Sequence, residues 1–462
     1  MLKNVKLNGK FVQFAGATFV NIGSIIFGIC VGWASPIAPI LTSEEETPLP
    51  SGPLTVDEIS LVSSIMALGG MLGAIVFGWI SNRLGRKWTL IVGTIPQVIA
   101  YVFMATAKNV IFLYASRFLS GVAGGALFVV VPIYVSEISE NSIRGMLGTI
   151  LGIFYNLGII IASIICTYMP FYSVPFVVLG ILSLFIIFLV FPESPQYLLL
   201  KCKVAEAEKA LKFFRGSSQS NEFKLEFESL KSAINASSSE KHHLSLQDFK
   251  PATTKKALLI SLVILSGRNF SGIFPLMNYT VSIFKEAETG INPNVSAIIA
   301  AVIQLTGAIT SAYLTDKFGR RILLLISLLG VAFCYSVLGA YFLLKHLSFN
   351  LSEVSWLPIV SLSGCLFLSA GIFNIPLYVM AELLPAKVRS TVTTVLQTST
   401  WPVTFLMVQF YLPLANLVGI HSCMYIFAGW CVFEAIFVYL CLPETKGKSA
   451  DEIVLALEGK VK

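Results

Sequence analysis

Apolar runs of about twenty residues recur along the whole chain, and they constrain the fold more than any other feature. A helix needs about 20 apolar residues to cross the hydrocarbon core of a bilayer. The chain has twelve such runs, at about 12–34, 58–80, 88–107, 111–134, 146–168, 172–191, 256–284, 294–315, 322–344, 354–378, 391–415 and 420–442. Only 12% of the 462 residues are charged, against about 25% in soluble domains. The sequence therefore predicts an all-α membrane protein and disfavours soluble enzymes, disulfide scaffolds and nucleic-acid binders.

Positive charges are distributed unevenly between the two sides of these spans. If both termini are cytoplasmic, 27 of the 32 Lys and Arg residues lie on the cytoplasmic side. Segments rich in Lys and Arg near the ends of spans are normally retained in the cytoplasm. We therefore expect a multi-pass plasma-membrane protein with both termini cytoplasmic.

Several motifs occur twice, about half a chain length apart. The first copies are Arg83-Leu-Gly-Arg-Lys87, Glu137 with Arg144, and Pro192-Glu-Ser194. The second copies are Lys317-Phe-Gly-Arg-Arg321, Glu382 with Arg389, and Pro443-Glu-Thr445. Such repetition predicts two six-helix halves, an arrangement that some transporters use to hold substrate between the halves. The expected domains are an N-terminal half at 1–191, a cytoplasmic helical linker at 192–255, a C-terminal half at 256–442 and a cytoplasmic tail at 443–462. Gly85 and Gly319 are expected to form tight turns between consecutive spans.

The polar linker also has helical patterns. Residues 205–215 favour a helix that ends at Gly216, a typical C-cap. One amphipathic face is predicted from the spacing of Phe223, Phe227, Leu230 and Ile234. The serines at 237–239 are expected to form a flexible joint.

Taken together, the motifs carry a family resemblance. They comprise residues 78–87, Arg117 with Gly121, residues 132–137 with Arg144-Gly145, residues 192–195, residues 316–321, Ala381-Glu382 with Arg389, and residues 443–447. This set resembles the sugar porter branch of the major facilitator superfamily, and within it the insect facilitated trehalose and glucose transporters. The resemblance implies a monomeric carrier of a small sugar that has no cofactor and is not an enzyme.

Charged residues of the motifs are predicted to gather at one membrane face. Arg forms bidentate pairs with carboxylates, so pairs that bridge the halves would act as a cytoplasmic latch that breaks when the inner mouth opens. The alternative is a set of ordinary charges that anchor helix ends. The candidate latch residues are Arg83, Arg86, Glu137, Arg144, Glu193, Asp316, Arg320, Arg321, Glu382, Arg389 and Glu444.

The resemblance also implies where substrate binds. The positions concerned are Arg268, Asn269, Asn278, Gln304, Thr400 and Trp401. Gly152, Phe274 and Leu377 stand where similar sugar porters have a polar or tryptophan side chain.

Arg268 and Glu434 are ionisable residues within predicted spans. A charge at the centre of a membrane helix costs about 2.5–3.5 kcal/mol on insertion scales. Arg268 is therefore expected to face the central cavity, where it would bind sugar hydroxyls or select an anion, or else to pair with carbonyls near a helix break at Gly267 or Gly272. For Glu434 we expect a structural hydrogen bond rather than a proton relay.

The predicted function is a facilitative sugar uniporter, with trehalose or glucose as substrate. Proton-coupled relatives carry an Asp in the first span where this chain has Cys30, and the absence of an acid there favours facilitated diffusion. Two alternatives remain open: the same fold could carry an organic anion or polyol selected by Arg268, or the protein could be a non-transporting sugar sensor. Asn294 and Asn350 are candidate glycosylation sites. We expect no metal site.

Overall fold

The computed structural model describes residues 9–216, 221–239 and 246–448, together with residues 452, 453 and 455. In that part of the chain, twelve helical segments are long and apolar enough to cross a membrane. They are TM1 (Gly9–Leu41), TM2 (Val56–Leu84), TM3 (Arg86–Ala105), TM4 (Val110–Ile138), TM5 (Arg144–Tyr168), TM6 (Phe171–Val190), TM7 (Ala252–Ala287), TM8 (Pro293–Thr315), TM9 (Arg320–His346), TM10 (Ser352–Leu383), TM11 (Lys387–Val418) and TM12 (Ile420–Cys441). Each coincides with a predicted apolar run, so the predicted twelve-span all-α fold is confirmed.

Three shorter helices follow TM6: α1 (Pro195–Leu200), α2 (Val204–Arg215) and α3 (Asn221–Ser239). Helix α2 ends at Gly216, whose φ of 68° is left-handed, as expected for a glycine C-cap. The amphipathic face of α3 packs on α1 and α2 in a small core separate from the spans. The expected joint at 237–239 is wrong, because α3 continues through Ser239. Relative to alanine, each serine destabilises a helix by less than about 0.7 kcal/mol. The packing of α3 on α1 and α2 offsets that cost.

The linker contacts both halves at one membrane face, which we call the termini-side face because TM1 begins and TM12 ends there. Arg215 of α2 donates a hydrogen bond to the carbonyl of Ile138 in TM4 at 2.8 Å and pairs with Glu226 of α3 at 2.7 Å. Asp248 pairs with Lys387 at the start of TM11 at 2.6 Å. The linker is thus connected to TM4 of the first half and TM11 of the second.

Two glycines form the predicted tight turns at this face. Gly85, between TM2 and TM3, has φ 97° and ψ 170°, and Gly319, which follows TM8, has φ 92° and ψ 164°. This region of backbone conformation is essentially restricted to glycine. A Cβ at Gly85 would also lie 2.3 Å from Oε2 of Glu193, and one at Gly319 would lie 2.7 Å from Oε2 of Glu444. Both turns therefore require glycine for conformation and for space.

We expect Gly85→Ala to lower the free energy of unfolding by about 1–3 kcal/mol, because the turn conformation is strained for any residue with a Cβ. Thermal unfolding of the detergent-solubilised protein would measure this loss. Gly145→Ala is the matched control, since a Cβ at Gly145 meets no atom within 4 Å. Equal stability of the two variants would contradict the requirement for glycine.

The two halves meet away from the termini-side face. The N–H of Val281 in TM7 donates to Oγ of Ser35 in TM1 at 3.0 Å. Oγ of Ser64 in TM2 donates to Oε1 of Gln409 in TM11 at 2.6 Å. Toward the termini-side face, the surface of TM5 is open: no atom lies within 4 Å of a Cβ built at Gly145, Gly148 or Gly152. The central cavity is therefore closed on the opposite side, which we call the outer side, and open to the termini-side face.

Candidate functional site

Arg268 lies beside a break in TM7. The first helix of TM7 ends at Phe270 and the second begins at Ile273, with Gly272 between them at φ 73°. The guanidinium carbon of Arg268 lies 5.8 Å from the ring centroid of Phe274 and 5.4 Å from that of Phe373 in TM10. Its buried Nε has no hydrogen-bond partner among the described residues. The arginine therefore contacts two aromatic faces, and the carbonyl pairs that we considered as an alternative are not seen among the described residues.

A second group of aromatic rings connects the halves near Arg268. Phe128 of TM4 lies edge-on to Tyr155 of TM5 at 6.0 Å between centroids and to Trp401 of TM11 at 6.5 Å. Phe27 of TM1 contacts both Phe128 and Tyr155. Tyr155 is also a near neighbour of Arg268. We call Phe27, Phe128, Tyr155 and Trp401 the aromatic wall.

Three of the predicted substrate positions lie where TM7 meets TM11. Asn269 is 1% exposed, and its Oδ1 accepts a hydrogen bond from Thr404 Oγ1 at 2.8 Å. The Thr400 hydroxyl donates to the carbonyl of Gln397 within its own helix at 2.7 Å. Trp401 packs on TM2 so closely that a Cβ at Gly70 would lie 2.4 Å from its ring. The polar groups of Asn269 and Thr400 thus have internal partners in this conformation.

The other two predicted positions, Asn278 and Gln304, lie on TM7 and TM8. Gln304 lines a small cavity with Ser35, Ser163 and Thr280, and its Nε2 lies 3.8 Å from a methionine sulfur. The amide nitrogen of Asn278 donates to the carbonyl one turn earlier at 2.9 Å, and its buried Oδ1 has no described partner. Ser35 also belongs to the closed contact on the outer side, so this cavity lies between the halves on that side.

Sequence reasoning did not identify Phe373, Phe128 or Tyr155. Phe373 lies about a hundred residues from Arg268 in sequence, and aromatic residues are common in this chain. No sequence signal distinguished these rings from ordinary packing residues.

Glu434 in TM12 is fully buried, and neither carboxyl oxygen has a hydrogen-bond partner among the described residues. The expected structural hydrogen bond is therefore not seen in the described part of the chain. The carboxyl group lies against Gly267, where a Cβ would be 1.8 Å from Oε2. The backbone N–H groups in the interior of a helix already donate to carbonyls of the same helix. Contact with TM7 therefore gives the Glu434 carboxyl group no hydrogen-bond donor.

Glu434→Met is expected to raise the free energy of unfolding by about 1–3 kcal/mol, because it removes a buried polar group that lacks a partner. Methionine is flexible enough to fill the same space. The measurement is the thermal midpoint of the purified protein. A lower midpoint would show that the carboxyl group makes a stabilising interaction.

The predicted latch residues form one well-defined cluster in the N-terminal half. Arg86 Nη2 lies 3.0 Å from Glu137 Oε1, with both side chains 9% exposed. Glu193 Oε1 accepts hydrogen bonds from the backbone N–H of Arg86 at 3.0 Å and of Lys87 at 3.1 Å. Burial raises the pKa of Glu193, and these backbone donors only partly offset that effect.

The C-terminal half repeats the arrangement. Arg320 Nη2 lies 3.0 Å from Glu382 Oε1, and Glu444 accepts the backbone N–H groups of Arg320 at 3.0 Å and Arg321 at 3.1 Å. Burial alone would raise the pKa of Glu444, but hydrogen bonds from four backbone N–H groups outweigh it, so the pKa is lowered. Each of these ion pairs joins residues of the same half.

The remaining latch residues have no carboxylate partner among the described side chains. Arg83 stacks on Trp79 at 4.0 Å, Arg144 is exposed, and Arg389 donates to the carbonyl of Leu384 at 3.1 Å. The side chain of Asp316 lies outside the described residues. Ion pairs that bridge the halves are therefore not seen among the described latch residues in this conformation, in which the termini-side mouth is open.

Arg117 of TM4 is a fully buried arginine near Cys30. Its Nε donates to the carbonyl of Val62 at 3.1 Å, and Nη1 donates to the carbonyl of Cys30 and lies 3.2 Å from the Cys30 sulfur. No carboxylate pairs with Arg117 in the described part of the chain. The arginine connects TM4 to TM1 and TM2 through neutral groups.

The two glycosylation candidates differ in exposure. Asn294 lies in the first turn of TM8, its Oδ1 is buried, and Ser296 of the same acceptor sequence is fully buried. This geometry argues against glycosylation at Asn294, because a glycan requires a surface position. Asn350 is exposed in the loop before TM10, so glycosylation at Asn350 stays a prediction.

Comparison with known structures identifies a related fold. The chain is 18% identical to the inward-open structure of the xylose transporter XylE from E. coli, with a TM-score of 0.78 and coverage of 97% of this chain and 100% of that one. A partially occluded inward-open structure of the same transporter gives a TM-score of 0.74 at 17% identity, with coverage of 94% and 100%. The predicted major facilitator fold is confirmed.

Sequence comparison identifies the family. The chain is 31% identical to a facilitated trehalose transporter Tret1-2 homolog of Drosophila simulans, over 99% of this chain and 93% of the relative. It is 30% identical to the facilitated trehalose transporter Tret1 of Polypedilum vanderplanki, over 98% and 89%. The family model described as "Sugar (and other) transporter" matches residues 45–456. The chain therefore belongs to the sugar transporter family, as its motifs predicted, and that family consists of carriers rather than enzymes.

Proposed function

We propose that this protein is a facilitative carrier that moves a sugar such as trehalose or glucose across a membrane by alternating access. One observation carries the proposal: an arginine and two groups of aromatic rings lie between the halves, in a cavity that is closed on one side and open on the other. Relatives across nearly the whole chain are named facilitated trehalose transporters. Neither the anion nor the sensor alternative has comparable support.

The cavity has the chemistry that a sugar requires. Aromatic rings offer flat apolar surfaces, and the Arg268 guanidinium lies against the rings of Phe274 and Phe373, whose centroids are 5.3 Å apart. The guanidinium has five N–H donors, which suit several hydroxyl oxygens at once. We assign Arg268, Asn269, Asn278, Gln304, Thr400 and Trp401 as substrate contacts. Those with internal partners would exchange them for sugar hydroxyls during binding.

The surroundings of Arg117 support transport without proton coupling. The groups that face it are the carbonyls of Val62 and Cys30 and the Cys30 thiol. None of these groups is a carboxylate, so among the described residues Arg117 lacks the acidic partner that an Asp in the first span would provide. Uptake is expected to be indifferent to an imposed proton gradient.

We propose that the latch forms in the opposite conformation, in which the termini-side mouth is closed. The Arg86–Glu137 and Arg320–Glu382 pairs would fix helix ends within each half throughout the cycle. Arg144 and Arg389, which have no described carboxylate partner here, would each pair with a carboxylate of the opposite half when the termini-side mouth closes. Substrate binding could then shift the equilibrium between the conformation in which this contact is formed and the one in which it is broken.

We further propose a monomer in the plasma membrane, with both termini and the linker in the cytoplasm. The excess of Lys and Arg at the termini-side face supports this orientation. The functional units would be the halves at 1–191 and 256–442, joined by the linker at 192–255 and followed by the tail at 443–462.

Uptake of radiolabelled trehalose and glucose by cells expressing the protein tests the proposed function. Saturable uptake that does not change with an inward proton gradient is expected. Uptake that follows the gradient would contradict the uniport mechanism. Sugar binding without uptake, once surface expression is verified, would favour the sensor, and uptake of organic anions alone would favour the anion carrier.

A further inference from the structure

Two histidines from distant parts of the chain meet on the outer side of the C-terminal half. His346 is the last residue of TM9, and His421 is the second residue of TM12. Their ring centroids are 5.5 Å apart, and the ring planes are inclined by 27°. The chain has four histidines, whose scattered positions predict no metal site. The fold nevertheless brings two of these imidazoles into contact.

Close packing of TM9 on TM12 determines where the two rings lie. A Cβ at Gly339 in TM9 would be 3.2 Å from the ring of Tyr425 and 3.4 Å from the carbonyl oxygen of His421. Gly339 and His346 are two helical turns apart, which places them on the same face of TM9. That face therefore lies against the beginning of TM12, and His346 continues it at the outer end of the helix.

The turn before TM12 sets the direction of the His421 ring. Gly419 has φ 84° and ψ 150°, a conformation that is essentially restricted to glycine. A Cβ at Gly419 would lie 2.5 Å from Cε1 of His421. The imidazole therefore lies across a position that only glycine leaves open, beside the end of TM9.

The ring nitrogens of both histidines are free to bind a ligand. Neither imidazole has a hydrogen-bond or ion-pair partner among the described residues. His346 is exposed and His421 is half-buried, so ions in the solution on the outer side can reach the pair. The adjacent Lys345 pairs with Glu288 at 3.0 Å, which partly compensates the one lysine charge next to His346.

Two imidazoles at this separation match the geometry of a transition-metal site. Zinc–nitrogen bonds to histidine are about 2.0–2.1 Å long, so two imidazoles on one tetrahedral ion have centroids about 5 Å apart. The observed 5.5 Å is close to that value. Because no described hydrogen bond holds either ring, small rotations of the side chains would point one nitrogen of each at the same ion.

The donor set also selects the kind of metal. Imidazole nitrogens suit Zn²⁺, Cu²⁺ and Ni²⁺, whereas Ca²⁺ and Mg²⁺ prefer oxygen ligands. In the described part of the chain, no group of three His, Cys, Asp or Glu side chains could hold a metal ion. The site therefore has two protein ligands, and water completes the coordination.

We propose that His346 and His421 bind a divalent transition-metal ion on the outer side, with Cu²⁺ bound more tightly than Zn²⁺. One nitrogen of each imidazole coordinates the ion. The bound metal joins the outer ends of TM9 and TM12. Both helices belong to the C-terminal half, so the metal stabilises that half without linking it to the other.

Cu²⁺ binding to the protein, purified without a histidine tag and placed in nanodiscs, tests the site. Isothermal titration measures the affinity, and EPR of the bound Cu²⁺ counts the coordinated imidazoles. His346→Ala and His421→Ala should each weaken binding at least about tenfold, because the second ligand of one ion acts at a high effective concentration. Each substitution should also reduce the count from two imidazoles to one.

The matched control replaces the other two histidines of the chain, His242 and His243, which lie outside the described residues. The variant that combines His242→Ala with His243→Ala should keep both the affinity and the count of two imidazoles.

Thermal unfolding gives a second readout, because a ligand that binds only the folded state stabilises it. Zn²⁺ at about a hundredfold above its dissociation constant should raise the thermal midpoint of the unmodified protein by about 2 °C or more. His421→Ala should show no such rise, and Mg²⁺ should have no effect on either protein.

Three results would overturn the site. The first is a Cu²⁺ affinity that both alanine substitutions in the pair change by less than about twofold. The second is a single coordinated imidazole in the unmodified protein. The third is loss of Cu²⁺ binding in the His242→Ala, His243→Ala variant, which would place the metal in the linker instead.

Discussion

Arg268→Leu is expected to abolish sugar uptake and at the same time to make the protein more stable. The guanidinium lies against the adjacent rings of Phe274 and Phe373, and its buried Nε has no described partner. Removing a charge from the centre of a membrane helix relieves a cost of about 2.5–3.5 kcal/mol. Removing a charged donor to the substrate costs about 1.5–3 kcal/mol per hydrogen bond, so two lost bonds would lower uptake about a hundredfold or more.

Uptake and thermal unfolding should be measured on the same Arg268→Leu preparation. Arg268→Gln is the matched control, because it also removes the charge but keeps an amide that can bind hydroxyls. It should retain sugar uptake. If Arg268→Leu lowered the thermal midpoint, the arginine would be a structural residue. If the unmodified protein transported anions and Arg268→Gln abolished that transport, the anion alternative would be favoured.

Gly73→Ala is expected to destabilise the N-terminal half by about 3 kcal/mol or more, since forced overpacking typically costs 1–3 kcal/mol and more where backbone must move. Gly73 lies where TM2 packs against TM4, and a Cβ there would be 2.0 Å from the carbonyl oxygen of Val122. Gly69, Gly121 and Gly125 meet backbone atoms just as closely. Small residues of this kind allow membrane helices to approach backbone to backbone.

The same helix provides the control. Gly78→Ala adds a Cβ whose nearest neighbour is a side-chain atom of Val129 at 3.7 Å, an ordinary van der Waals contact. Alanine favours helix over glycine by about 0.8–1.0 kcal/mol, so this variant should be as stable as the unmodified protein or more so. The monodispersity and the thermal midpoint of each variant in detergent provide the comparison. Equal behaviour of the two variants would contradict the packing role of Gly73.

The fold was predictable from sequence because its signals are local. Span length follows from apolar runs, and the turns at Gly85 and Gly319 follow from short motifs that recur in both halves. The C-cap at Gly216 was predicted for the same reason. The continuation of α3 through Ser239 was missed, because a run of three serines is more typical of a flexible joint than of the last turn of a helix.

The site was less predictable because its contacts join distant parts of the chain. The resemblance identified Arg268 and Trp401, but the rings of Tyr155 and Phe373 that surround them come from other spans and have no distinguishing pattern. The partner of Glu137 in this conformation was also missed: pairs that bridge the halves were expected, whereas the fold of the N-terminal half brings Arg86 to Glu137. Which residues pair depends on tertiary packing that sequence spacing does not specify.

Sugar counterflow in proteoliposomes containing only the purified protein tests facilitative transport most directly. Vesicles are loaded with unlabelled sugar, diluted into trace labelled trehalose or glucose, and followed with no ion gradient present. A carrier that alternates between two sides without coupling should accumulate label transiently above equilibrium. Accumulation that appears only when a proton gradient is imposed, or its absence for every sugar tested, would contradict facilitative sugar transport by this protein.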